Sequence, residues 1–166
     1  MSESDNDRLR SEALFQDERV IRAQRGEGEL RDRFYFINRE AYAQYLRFHE
    51  GLAGKKVVVV GSNDVGVTPL GRQKVLVEGI DISPVAVAEL RAAIELEGLT
   101  EYASARVMNA EALEYADRSI DAISCSGVLH HLNSERALRS WARCLKDDGR
   151  VILFEPLALH PIAAQV

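Results

Sequence analysis

Four consecutive valines, Val57 to Val60, form an apolar run with no polar interruption. Such a run marks a strand covered on both faces, so residues 57–60 are expected at the centre of a sheet. Further apolar stretches predict strands at 74–80 ending in Asp81, 105–108 ending in Asn109, 119–125 with Asp121 near its start, and 151–154. Between them the period changes to that of helices. Thr68 and Pro69 read as the N-cap and first residue of a stubby helix weakened by Gly71. Ser83 and Pro84 open a long helix that stops at Gly98, and residues 111–115 read as a short helical or looped connection. A last helix runs from about Ser134 to Leu145, with Leu138, Trp141, Ala142 and Leu145 on one face, before a turn at 147–149.

The N-terminal part reads differently. Its first 30 residues are rich in charge and poor in apolar anchors, which predicts a frayed or loosely docked helix, with order beginning near Arg31. Asn38 is then an N-cap for a helix whose Tyr42, Tyr45, Leu46 and His49 share a face and which stops near Gly51 or Gly54. Short strands alternating with helices require parallel pairing through right-handed crossovers. The expected fold class is therefore α/β: a doubly wound, mostly parallel, Rossmann-like sheet of about five strands behind an N-terminal helical extension. Residues 1–50 are read as that extension or lid, and 51–166 as the core.

The 166 residues, 46% hydrophobic and 28% charged, suit one globular domain with a real core. A formal net charge of −5 argues against a surface built for phosphate backbones, so no nucleic acid is expected as partner. No apolar run approaches bilayer length and the N-terminus is polar, so no membrane association and a cytoplasmic location are expected. Cys125 and Cys144 have no partner at metal-ligand spacing and are read as small buried hydrophobes; no metal is expected.

In an open parallel sheet ligands bind beyond the carboxyl ends of the strands, so the strand-ending residues carry the candidate chemistry. The loop 61–66, which starts at Gly61 and contains Asn63 and Asp64, leads to a helix N-terminus; it suits an anionic group or simply makes a tight turn. Asp81 follows Gly61 by about 20 residues, the spacing at which an acid meets ribose hydroxyls; otherwise it helps Ser83 cap the next helix. Asn109 could accept from an adenine amino group beside the backbone of Ala110, or serve as a turn residue. His130 and His131 diverge too much to chelate a metal together, but either is a candidate base or substrate contact.

Gly79-Ile80-Asp81-Ile82-Ser83-Pro84, Asn109-Ala110-Glu111-Ala112-Leu113 and Ser126-Gly127-Val128-Leu129-His130-His131-Leu132 together resemble the class I S-adenosylmethionine-dependent methyltransferases, of the type 11 small-molecule kind. The resemblance runs from about Lys55 to Pro156. It implies S-adenosyl-L-methionine as cofactor, methyl transfer to a small-molecule acceptor, and a lid around Tyr35 to Tyr45. It also implies cofactor contacts at Gly61, Asn63, Asp64, Asp81, Ile82, Asn109, Ala110 and Ser126, with His130 or His131 lining the reaction pocket as base and Glu155 as an outside candidate.

The family pattern places an acid two residues before the first loop glycine and glycines at alternate positions after it. Here those places hold Val59, Asn63 and Val65. The family's sheet also gains two strands after the fifth, so the core is read as C-terminally incomplete, with a homodimer or a partner chain covering the strand-five edge. A catalytically degenerate scaffold or subunit is the alternative function. A nucleotide-dependent oxidoreductase is the other, because Gly61-x-Asn63-x-x-Gly66 is a dinucleotide fingerprint lacking its middle glycine. Short-chain oxidoreductases would show a tyrosine followed four residues later by lysine, and none of the five tyrosines has one.

Overall fold

The structure, a computed structural model, describes residues 3–24, 39–61 and 64–155. Its five strands, β1 (Lys56–Val60), β2 (Leu76–Asp81), β3 (Ala103–Val107), β4 (Ile120–Ser126) and β5 (Leu145–Phe154), form one sheet in the order β3-β2-β1-β4-β5. Every pairing is parallel; in the middle Val58 lies opposite Glu78 of β2 and Ile123 of β4. This is the expected doubly wound α/β arrangement, with the valine strand at its centre.

Helices explain why that strand has no polar side. Val57 and Val59 meet Leu70 of α3 (Asp64–Arg72) and Val87, Leu90 and Ile94 of α4 (Pro84–Leu96), whereas Val58 and Val60 belong to the cluster of Ile80, Ala137 and Trp141 on the opposite face, the last two from α5 (Ser134–Cys144). Fully burying a valine stabilises by roughly 1.5–3 kcal/mol, so the four valines are a large share of what holds the sheet. α4 is bounded as expected: Ser83 Oγ accepts from the Ala86 N–H at 3.0 Å, Pro84 follows, and Gly98 ends the helix with φ +65°.

α2 (Arg39–Arg47) and the turn after it close one face through a polar network. The Tyr45 hydroxyl meets Ser124 Oγ, and His49 Nε2 lies 2.8 Å from the same oxygen. His49 Nδ1 lies 3.0 Å from the Tyr45 carbonyl, which can only accept, so Nδ1 carries the proton and Ser124 donates to Nε2. Burial pushes the His49 imidazole below its ordinary value of 6.5, and Arg150 acts in the same direction against backbone hydrogen bonds at Tyr45 and Leu46.

Several expectations need correction. Residues 3–24 form α1 (Glu3–Gln24), a docked helix, so order begins well before Arg31; charged side chains hold it where an apolar stripe is missing. α3 begins at Asp64, with Thr68 packed inside it and Pro69 in its interior, where the missing N–H forfeits a single intrahelical bond. β3 lies at Ala103–Val107; residues 111–115 are a loop, one of the two forms expected for them. The buried face of α5 is Ala137, Trp141 and Cys144, while Leu138 is 43% exposed. The turn at 147–149 is absorbed into β5 as a bulge, where the register steps from Ile120↔Leu145 to Ala122↔Arg150. Asn38, and with it the N-cap expectation, lies outside the described residues, as does the side chain of Tyr42.

Both cysteines are buried and free, as expected. Among the described residues no helix is long and apolar enough to cross a membrane, and no group of side chains could hold a metal ion. The outer edge of β5 has no ladder partner among those residues, and Val151 and Leu153 are exposed there.

Candidate active site

Strand order reverses between β1 and β4, and that point locates the ligand crevice of an open α/β sheet. A cleft lies there, floored by the tips of the strands and roofed by α1. Gly61 leaves β1 with φ +89°, and its N–H donates to the Ile80 carbonyl at 2.8 Å, which ties the β1 and β2 tips together. A side chain at this position would strike Val128, since an added β-carbon would stand 2.7 Å from Val128 Cγ2.

Asp81 ends β2 and lines the cleft beside Ile82. Its Oδ1 accepts from the Ser83 N–H at 2.9 Å, which orients the carboxylate while Ser83 caps α4, as the capping reading expects. Asn109 and Ala110 follow β3 in the same cleft. Asn109 Oδ1 accepts from the Glu111 N–H at 2.8 Å, a turn role, and the Ala110 carbonyl accepts from Trp141 Nε1 at 2.8 Å, which fixes this wall to α5.

Beyond β4 the chain makes a single 3₁₀ turn, Leu129–His131. Glu155 Oε1 accepts from the Val128 and Leu129 N–H groups, each at 2.9 Å, and its Oε2 lies 2.8 Å from His130 Nδ1. Burial would raise the Glu155 pKa, but these three hydrogen bonds outweigh it and hold the carboxyl below its ordinary value. Glu155 is thus a structural anion rather than a base, and it fastens His130 at a position that is not part of the cleft lining. His131 does line the cleft. Ser126 is the last residue of β4, one position before the lining begins at Gly127. Burial, reinforced by Glu155, pushes the Cys125 thiol up to about 12, too high for a nucleophile.

The roof comes from α1, within residues 1–50, rather than from the segment around 35–45. α1 contributes Arg8, Leu9, Glu12 and Gln16 to the lining. Four contacts tie it to the rim: Asp5 to Arg136 at 2.9 Å, Arg8 to both Glu111 oxygens at 2.6 and 2.8 Å, Glu12 to His131 at 3.7 Å, and Asp17 to the Ser83 hydroxyl. Glu111 is itself buried and also accepts from the Asn133 N–H at 2.8 Å. The available signal was a stripe at 5, 8, 12 and 16, helical in spacing but polar. The expected lid at 35–45 is a different matter: Tyr35 lies outside the described residues, and Tyr45 is 3% exposed beneath the sheet's other face.

The donor set suits an adenosyl group in part. The cleft lining offers a carboxylate of the kind vicinal hydroxyls need, Asp81, together with the apolar side chains of Ile82, Met108 and Ala110. Val59, where the family pattern has an acid, is 1% exposed inside the core; Asp64 begins α3, and Asn63 lies outside the described residues.

The methyltransferase domain family matches residues 60–153, more than half of the chain. The chain belongs to the class I S-adenosylmethionine-dependent methyltransferases. Among its relatives is the ubiquinone/menaquinone biosynthesis C-methyltransferase of Klebsiella pneumoniae, 43% identical over 63 residues, which are 37% of this chain and 24% of that protein. The phosphatidylethanolamine N-methyltransferase of Cereibacter sphaeroides is 29% identical over 119 residues, 70% of this chain and 59% of that one. The fold is shared with the geranyl diphosphate C-methyltransferase of Streptomyces coelicolor, solved with S-adenosyl-L-homocysteine: TM-score 0.62, 20% identity, covering 69% of this chain and 45% of that one. The chain thus spans well under two thirds of each of these proteins.

Proposed function

We propose that this chain binds S-adenosylmethionine in the cleft between the strand tips and α1 and serves methyl transfer to a small-molecule acceptor. The observation that carries the reading is Asp81, oriented by the Ser83 N–H and sharing one cleft with Gly61, Asn109 and Ala110. Its carboxylate would accept both ribose hydroxyls, Ile82 and Met108 would flank the adenine, and the Ala110 backbone would meet the ring edge. Bound S-adenosylmethionine supplies an already activated methyl group, so the protein has to align it, exclude water and, for a protonated acceptor, provide a base. α1 serves the exclusion. His131 is the imidazole within the cleft and would take the acceptor's proton.

Calorimetric titration of the purified chain with S-adenosylhomocysteine tests this, with NADH as control. Binding that Asp81→Asn weakens at least about tenfold supports the reading. Binding of NADH instead, or of neither compound, overturns it. A second reading, a scaffold without turnover, draws on one observation: β1 offers Val59 where the family pattern has an acid. Tight binding of S-adenosylhomocysteine with no methyl transfer to any quinone, amine or isoprenoid acceptor would favour the scaffold.

A further inference from the structure

We infer that Glu12, on α1, is the carboxylate that receives the ammonium group of the cofactor's amino-acid end. The inference rests on the reading of the cleft as an S-adenosylmethionine site.

S-adenosylmethionine is asymmetric: a nucleoside at one end, an amino acid with a free ammonium at the other. An ammonium moved from water into a roofed cleft needs an anionic partner. Two carboxylates line this cleft among the described residues, Asp81 and Glu12. Asp81 belongs to the β2 tip, where the Ser83 N–H holds its carboxylate. β1 brings no acid to the cleft, since the Val59 side chain is part of the core.

α1 places the second carboxylate at the opposite end. Asp17 bonds to the Ser83 hydroxyl, over the β2 tip. Five residues earlier, about 7.5 Å back along the helix, Glu12 lies over the β4 side. There its Oε1 is 3.7 Å from His131 Nδ1, and the His131 N–H donates to the Val128 carbonyl at 2.9 Å. Val128 is the residue packed on Gly61, so this is the half of the cleft over the β1 tip. Gln16 Nε2 donates to Glu12 Oε1 at 2.8 Å and holds the carboxylate in place. One helix thus sets an anion over the β1–β4 end while Asp81 serves the β2 end, and the two spots match the cofactor's two polar ends.

The test uses two probes on the full chain: S-adenosylhomocysteine, which has the amino-acid end, and 5′-methylthioadenosine, which lacks it. The wild type should bind the first more tightly. Glu12→Gln, nearly identical in shape, should weaken S-adenosylhomocysteine at least about tenfold and methylthioadenosine less than about twofold. Asp81→Asn should weaken both, and hydrogen exchange over residues 3–24 should match between wild type and Glu12→Gln. Equal losses for both probes, or unchanged S-adenosylhomocysteine affinity in Glu12→Gln, would overturn the assignment while leaving the cofactor reading intact. A wild type that binds neither probe would end both.

Discussion

Gly61 and Val128 are packed so closely that the first cannot carry a side chain: a β-carbon on Gly61 would come within 2.7 Å of Val128 Cγ2, and the φ of +89° is one that other residues rarely adopt. The contact joins the β1 tip to the loop after β4 across the point where strand order reverses. We predict that Gly61→Ala lowers stability by about 2 kcal/mol or more, through left-handed strain and overpacking together, and weakens S-adenosylhomocysteine binding. Urea denaturation and calorimetry would check this; an unchanged midpoint would mean the loop relaxes freely.

The Tyr45–Ser124–His49 network requires neutral histidine, and burial holds the His49 pKa below 6.5 in the folded state. The unfolded chain therefore binds the extra proton first as pH falls. The stabilising contribution is complete above pH 6.5 and is lost as pH drops from there toward the folded value. Glu155 titrates in a separate window, below its ordinary 4.5, where falling pH removes the stability its hydrogen bonds provide. We predict that His49→Gln flattens the loss of stability between about pH 7.5 and about pH 5.5, measured by urea midpoints. Ser124→Ala should cost about 1–3 kcal/mol at neutral pH, because it strands two buried polar partners.

Trp141 is the only tryptophan in the chain and is fully buried, with its indole N–H on the Ala110 carbonyl. It therefore reports on the wall at the β3 tip. We predict a change in tryptophan emission on adding S-adenosylhomocysteine. Trp141→Phe should lower stability by about 1–3 kcal/mol, through the unsatisfied carbonyl and lost volume, as read by circular dichroism. Silent emission throughout a calorimetrically verified titration would count against adenine lying beside Ala110.

The Arg8–Glu111 pair joins α1 to the rim, with Arg8 39% and Glu111 3% exposed. Arg8 is partly exposed but Glu111 is buried, so Arg8→Ala leaves that carboxylate without its cation and should lower stability by about 1–3 kcal/mol, read from the urea midpoint. The loss should fall first on α1: amide exchange across residues 3–24 should accelerate several-fold while the strands stay better protected. Unchanged exchange in α1 would show that the remaining rim contacts suffice to hold it.

Much of this was legible in the chain. The valine run could only be a strand covered on both faces, and reasoning from strand ends brings Gly61, Asp81, Asn109 and Ala110 to the same cleft, where the structure places them. For α1 the sequence predicts a helix but not its firm docking, because apart from Leu9 the contact face is Asp5, Arg8, Glu12 and Asp17, and hydrophobic periodicity is blind to a face made largely of charge. Thr68-Pro69 imitates a helix start, but the packing of Val67 and Leu70 against the sheet draws the helix back to Asp64. In α5 the error is one of phase. Ala137 and Cys144 occupy the buried row with Trp141, and the bulkier Leu138 was mistaken for part of it because size was read as burial.

The strap of charge over the cleft also orders the birth of the molecule. Arg8 leaves the ribosome early, but Glu111 is 103 positions later and Arg136 later still. Synthesis proceeds from the N-terminus, so the helix must wait for the sheet that will hold it. The cleft is consequently begun uncovered, and its roof can be fastened only after α5 has emerged.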